Sequence, residues 1–179
     1  MPLKDLLFGF EGRIRRRDWW IWSIAGSLAY MAVILVVGLV LSGGRWDELD
    51  ALLAGGFGQS WQTAAFDFAT FLPFLWVQTA LAAKRAHDRN VGAAVAIGLT
   101  IFAGLLTLLP TPVDLLGSTL SDADFNSLVQ GLTLVSGVAS FYLLVVLGFL
   151  DGTPGPNRFG RSPKGIGGDP ADKAAEVFS

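Results

Sequence analysis

The sequence predicts an all-α fold of the membrane-embedded kind: an integral membrane bundle of four transmembrane helices, with both termini on the cytoplasmic side. Three observations predict it. The first is composition. Of 179 residues, 52% are hydrophobic and 16% charged, and the mean hydropathy is +0.52, whereas soluble domains carry roughly 25% charged residues. A soluble chain of this length cannot hide so much apolar surface, because burial on folding is limited by surface-to-volume scaling. The second is four apolar runs, each near the length of about 20 residues that a helix needs to cross the hydrocarbon. The third is charge. Twelve of the thirteen Lys and Arg residues fall in alternate segments between those runs, and only Arg45 falls on the other side. That bias marks the basic segments as cytoplasmic.

The elements follow in order. Residues 1–18 form a basic cytoplasmic segment, and within "GRIRRRDWWIW" (12–22) Arg13, Arg15, Arg16 and Arg17 run into Trp19, Trp20 and Trp22. The first span, 19–41, holds no charge, and its length of about 34 Å exceeds the apolar stretch of a signal peptide. The second, 61–83, carries Asp67 near its outer end and Pro73 inside. Proline is tolerated there when neighbours satisfy the freed carbonyl. The third, 91–109, stops at Pro110, and the fourth is 128–150, which closes a membrane domain over 19–151.

The outer loops hold Asp47, Glu48, Asp50, Asp114, Asp122 and Asp124. Within 43–60, Trp46, Leu49, Leu52 and Leu53 recur at helical spacing, and Ser121 is placed to cap a helix, with Asp124 three residues on. Residues 152–166 read as a loop folded back on the cytoplasmic face, and 167–179 as a disordered tail. Inside the spans, Gln78, Thr79, Ser136 and Ser140 are candidates for hydrogen bonds between helices, and Ala25/Ala29, Ala94/Gly98 and Ser136/Ser140 are spaced to let helices approach. No series of acids crosses the membrane, which gives an ion pump little support.

Three cytoplasmic clusters carry the chemistry. In the first, Arg13, Arg16 and Arg17 share a face if the segment is helical, being i, i+3 and i+4. Guanidinium forks match phosphate oxygens, and Trp19, Trp20 and Trp22 suit the membrane interface. This is either a topology anchor with an aromatic belt or a site for a lipid phosphate or another anion. In the second, "KRAHDRN" (84–90), His87 is the sole histidine and the natural acid–base candidate. Asp88 diverges from His87 on a helix and is placed to pair with Lys84 or Arg85. A carboxylate for His87 would come from Asp18 or Asp151, and Asn90 suits the left-handed end of a helix. The alternative is a charged turn that only sets topology. In the third, "DGTPGPNRFGRSP" (151–163), dense turn chemistry surrounds Arg158, Phe159 and Arg161.

Together the clusters resemble the domain-of-unknown-function 805 family of bacterial inner-membrane proteins. Its pattern runs F-x-G-R-x-x-R-x-x-[FW]-W, then R-x-H-D, then G-x-x-G-x-N-R-[FY]-G-x-x-P. Phe10, Gly12, Arg13, Arg16, Trp19 and Trp20 carry the first motif; Arg85, His87 and Asp88 the second; Gly152, Gly155, Asn157, Arg158, Phe159, Gly160 and Pro163 the third. The family's usual Ser-Gly-Trp element after the His-Asp pair is replaced by "VGAA" (91–94), and its usual glycine by Asn90. The resemblance implies location in the inner membrane and four spans. It supplies no activity.

Two functions follow as expectations. One is non-enzymatic: Arg13, Arg16, Arg85 and Arg158 hold anionic lipid headgroups or acidic groups of a protein partner, with His87 beside them and Asp88 and Asn157 bracing them. The other is an enzyme or transporter for a phosphorylated lipid-linked substrate, with His87 as general acid or base. No nucleophile or metal-ligand set stands out, so the first is favoured and no metal and no cofactor is expected. Expected partners are membrane lipids, anionic ones included, and a protein partner or a second copy. Nucleic acid is not expected, because anionic lipid already accounts for cations beside a span, at about 1 kcal/mol each.

Overall fold

The computed structural model describes residues 2–41, 43–45, 61–108 and 121–165. The amphipathic stretch expected within 46–60, the tail 167–179 and the side chain of Asp67 lie outside the described residues. Among the described residues the chain is helical, without strands. Helix α1 is Leu3–Phe8, α2 Arg16–Leu41, α3 Trp61–Asp88, α4 Ala94–Leu108 and α5 Asp122–Leu143, and α5 runs directly into a π-helical turn, Leu144–Phe149.

Local chemistry sets the ends. Helix α3 continues through Lys84–Asp88 because no breaker intervenes before Asn90. There the chain turns left-handed, with φ +59°. The Asn90 N–H bonds the His87 carbonyl at 3.0 Å and the Val91 N–H bonds that of Ala86 at 3.1 Å, the paired closure that satisfies the last carbonyls of a helix. Helix α2 ends in the same way at Gly43, φ +61°, with Gly44 N–H on Leu39 O at 2.8 Å. At the start of α5 the Ser121 hydroxyl accepts the Asp124 N–H at 3.3 Å and donates to its carboxylate at 2.7 Å.

Two helical stretches, Arg16–Val40 and Ala123–Phe149, are long and apolar enough to cross a membrane, and Ala94–Leu106 is a shorter apolar helix. Neither long stretch resembles the core helix of a soluble protein. Only 6% of the most apolar part of the first and 22% of that of the second are buried. Leu28, Met31 and Val40 on α2 and Leu134, Val138 and Phe141 on α5 are between 62% and 73% exposed. Apolar surface left open on this scale marks contact with lipid or protein rather than water.

Helices α2 and α3 run antiparallel, since Gly26 lies against Gln78 while Tyr30 stacks on Phe74 at 4.8 Å. Gln78 Nε2 donates to the Ser23 carbonyl at 3.3 Å and the Ser136 hydroxyl to that of Ala103 at 3.1 Å, so both bridge helices; Thr79 instead bonds Leu75 of its own helix at 2.7 Å. Gly104 brings α4 close to Leu75 of α3. The core gathers Leu6, Ile14, Trp19, Leu81, Ala86 and Leu147 at one end of the helices. The polar site sits at that end.

Candidate functional site

The site begins where α1 hands over to α2. Gly12, at φ +87°, turns the chain so that Arg13 and Ile14 point inward, 8% and 2% exposed. Helix α2 starts only at Arg16. Arg13 therefore precedes the helix, and the expected shared face of Arg13, Arg16 and Arg17 does not form: Arg13 is buried while Arg16 and Arg17 face outward.

Asp88, the last residue of α3, receives two guanidinium groups. Arg13 donates to its Oδ1 from Nε at 3.2 Å and from Nη2 at 3.0 Å. Arg85, one turn earlier, donates to its Oδ2. Arg13 also reaches the carbonyls of Gly155 at 2.8 Å, Gly160 at 3.1 Å and Thr153 at 2.9 Å. Five N–H groups are all a guanidinium has, and here each meets an acceptor. Burial pushes Arg85 down, opposed by the Asp88 carboxylate, yet an arginine stays charged in a protein. Lys84 takes none of this carboxylate. Its fully buried ammonium donates to Leu6 O at 2.9 Å, to Gly9 O and, weakly, to Ala80 O, which ties α1 onto α3. Burial lowers it to about 8, against the attraction of Asp5.

The end of the fourth long helix is capped by side chains. Arg85 donates to Leu147 O at 2.8 Å and to Leu150 O, Trp20 to Gly148 O at 3.0 Å and Arg16 to Phe149 O at 3.0 Å. Four consecutive carbonyls that a helix end leaves without partners are thus satisfied. Trp20 also meets Phe149 edge-on at 5.9 Å and Trp19 at 5.2 Å. Trp19 is buried, so these rings pack inward on the site as well as lying at its border. Gly148 admits them, because a Cβ there would stand 2.9 Å from Trp20.

The segment after Asp151 folds over the same end. Thr153 bonds the Asp88 carbonyl through N–H at 2.8 Å and hydroxyl at 3.0 Å. The Asn157 side-chain amide donates from Nδ2 to His87 O at 2.9 Å, and its Oδ1 accepts the Phe159 N–H at 2.9 Å. Asn157 and Gly160 exchange backbone bonds at 3.0 Å, closing a tight turn with Arg158 and Phe159 at its tip. Phe159 lies flat on His87, with centroids 4.0 Å apart, and the Arg158 guanidinium stands 4.7 Å over the Phe159 ring. Gly152 is obligatory in this arrangement: a Cβ there would run into the Asp88 carboxylate.

Among the described residues His87 meets no carboxylate. Its Nδ1 lies 3.2 Å from the Gly12 carbonyl. A carbonyl can only accept, so Nδ1 carries the proton. Burial lowers the His87 pKa; the Gly12 hydrogen bond opposes this, and the Lys84 and Arg158 charges add to it. The two expected acids are engaged elsewhere, Asp151 with Arg16 at 3.4 Å and Asp18 with Arg17 at 3.6 Å. Among the described residues no group of three or more His, Cys, Asp or Glu is placed to hold a metal.

The structure thus brings together Arg13, Arg16, Arg85, His87, Asp88, Asn157 and Arg158. Sequence reasoning missed Lys84 and Thr153 as members. Lys84 acts on backbone carbonyls of α1, which leave no side-chain signature, while Thr153 lay within the quoted third motif.

The class defined here is a chain that is helical over its described residues, with two long apolar helices exposed to their surroundings and a buried arginine–aspartate clamp at one end. The chain belongs to the DUF805 family, described as a protein of unknown function, whose family model matches residues 7–161. It is 30% identical over 170 residues to "Uncharacterized protein YiiR" of Escherichia coli strain K12, and equally to that of Escherichia coli O157:H7, covering 93% of both chains in each case. No solved structure matches.

Proposed function

We propose that the chain is a non-enzymatic, four-span protein of the bacterial inner membrane with both termini cytoplasmic. The buried arginines lock the cytoplasmic ends of the helices together, and the outward cations Arg16 and Arg158 hold anionic lipid headgroups. The observation that carries this reading is the division of labour among the cations. Arg13 has every donor on a protein acceptor, whereas Arg16 and Arg158 stand at the exposed rim. Buried charges with saturated partners hold a fold. Exposed guanidiniums beside an apolar belt suit phosphate.

Topology has its own support. The start of α2, the end of α3 and the chain after α5 touch one another, so they share a side, and the remaining cation, Arg45, follows the far end of α2. Helix α4, 15 residues and about 22 Å long, crosses with local thinning of the bilayer. The test is mass spectrometry of phospholipids retained after gentle extraction. The native chain is expected to enrich phosphatidylglycerol or cardiolipin, and Arg16→Ala with Arg158→Ala to lose that enrichment. Equal, non-selective retention by both proteins would contradict it.

A further inference from the structure

A second lipid feature lies away from the clamp. An apolar groove of about 660 Å³ runs between α2 and α3, walled by Trp22, Ala25, Ala29 and Val33 on one side and Pro73 and Val77 on the other. Its size falls within the usual span of ligand cavities, roughly 300–1,000 Å³. Val33 lies eleven positions after Trp22, about 16 Å along the helix, so the groove is long. Ala25, Gly26 and Ala29 leave room for it on the α2 side. At its clamp end, Leu7 and Phe8 of α1 also line it, and Lys84 fixes that helix in place through Leu6 O and Gly9 O.

Neither Lys4 nor Asp18 is among the walls of the groove, but helical spacing sets one charge of each sign beyond its clamp end. Lys4 lies three and four residues before Leu7 and Phe8, hence on their face of α1, and is exposed. Asp18 lies four residues before Trp22, on the groove face of α2. Its only ion pair among the described residues is with exposed Arg17 at 3.6 Å, a weak, solvated contact. We propose that this groove holds one acyl chain of a phospholipid whose headgroup joins a phosphate to an ammonium, with the phosphate at Lys4 and the ammonium at Asp18.

A carboxylate at the mouth disfavours a purely anionic headgroup and complements a zwitterionic one. A second copy of the chain is the competing occupant. A helix about 10 Å wide lying along the groove would meet Leu7 and Phe8, whereas an acyl chain ends there at its headgroup. The inference rests on the reading of α2 and α3 as spans, and is independent of the anionic lipid at Arg16 and Arg158.

The test counts lipid bound per chain by mass spectrometry after extraction into detergent with mixed phosphatidylethanolamine and phosphatidylglycerol. The native chain is expected to keep at least one phosphatidylethanolamine that depends on this groove. Ala29→Phe, which fills the groove, should lose it several-fold. Asp18→Asn, which removes the charge of this half-buried side chain while keeping its size, should keep a phospholipid but lose the ethanolamine preference. Brominated acyl chains should quench the fluorescence of the native chain more than that of Trp22→Phe. Retention unaltered by both Ala29→Phe and Asp18→Asn would overturn the groove while leaving the rim cations untouched. A dimer that Ala29→Phe dissociates would overturn it in favour of a second copy. Failure of the spans themselves would show separately, as a reporter inserted after Arg45, between α2 and α3, reading the same side as the termini.

Discussion

At the scale of single residues, charge and burial divide the arginines into two kinds. Arg13 and Arg85 flank one carboxylate in a site closed to solvent. Removing one partner of such a group leaves an uncompensated buried charge, which costs about 3–5 kcal/mol. Arg13→Ala, Arg85→Ala and Asp88→Ala should each fall in that range in reversible unfolding. His87→Gln should lose much less, because the glutamine amide can still donate toward Gly12 O and only the Phe159 stack weakens. If His87 were the acid–base group of a reaction, His87→Gln would instead abolish function as completely as Arg85→Ala. Gly152→Ala should destabilise as strongly as loss of Asp88, since the added methyl has nowhere to go but the carboxylate. Acid adds a separate check. His87 is held below its ordinary value near 6.5, chiefly by burial. The unfolded chain therefore takes up a proton before the folded chain does. Stability is complete above about pH 6.5 and falls as the pH drops toward the lowered folded value. Melting curves between pH 7.5 and 5.5 should show a drop in the native chain that is smaller in His87→Gln.

At the scale of elements, helix ends do most of the work, and they differ in how far the sequence exposes them. Asn90 and Ser121 could be placed from the chain alone, because the left-handed turn and the hydroxyl cap each need one residue type at one position. The resemblance motifs brought Arg13, Arg16, Arg85, His87, Asp88, Asn157 and Arg158 forward, but not their roles. Whether Arg13 shares a face with Arg16 depends on the first helical residue, and a shift of three positions takes Arg13 out of the helix and into the core. The partner of His87 is a backbone carbonyl, which every residue has, so residue types pointed wrongly to Asp18 or Asp151. The π-helical turn at Leu144–Phe149 leaves no pattern either; it offers carbonyls to Arg85, Trp20 and Arg16. Gly148→Leu should expel the Trp20 ring, release these caps and slow refolding of the last helix onto α2. A matching loss of tertiary near-ultraviolet signal from tryptophan would report it.

At the scale of the whole molecule, the clamp joins the two ends of a long chain. Residues 13, 88 and 153–160 are far apart in sequence and meet in one polar knot, while the outward surfaces of α2 and α5 stay apolar. This division suits a membrane, and the ionic site fixes which helix ends lie together. Reporter fusions after residue 165 and before residue 3 should both read cytoplasmic. The central claim is that buried arginines hold the fold and rim arginines meet lipid. The most direct measurement is the rise in melting temperature that phosphatidylglycerol gives to the purified chain, compared among the native protein, Arg13→Gln, and Arg16→Gln with Arg158→Gln. The account predicts that Arg13→Gln melts well below the native chain yet gains the native increment, and that the rim variant, which gives up the Arg16 cap on Phe149 O, melts less far below it without lipid and gains little with it. An Arg13→Gln protein with native stability and no lipid increment would contradict the account.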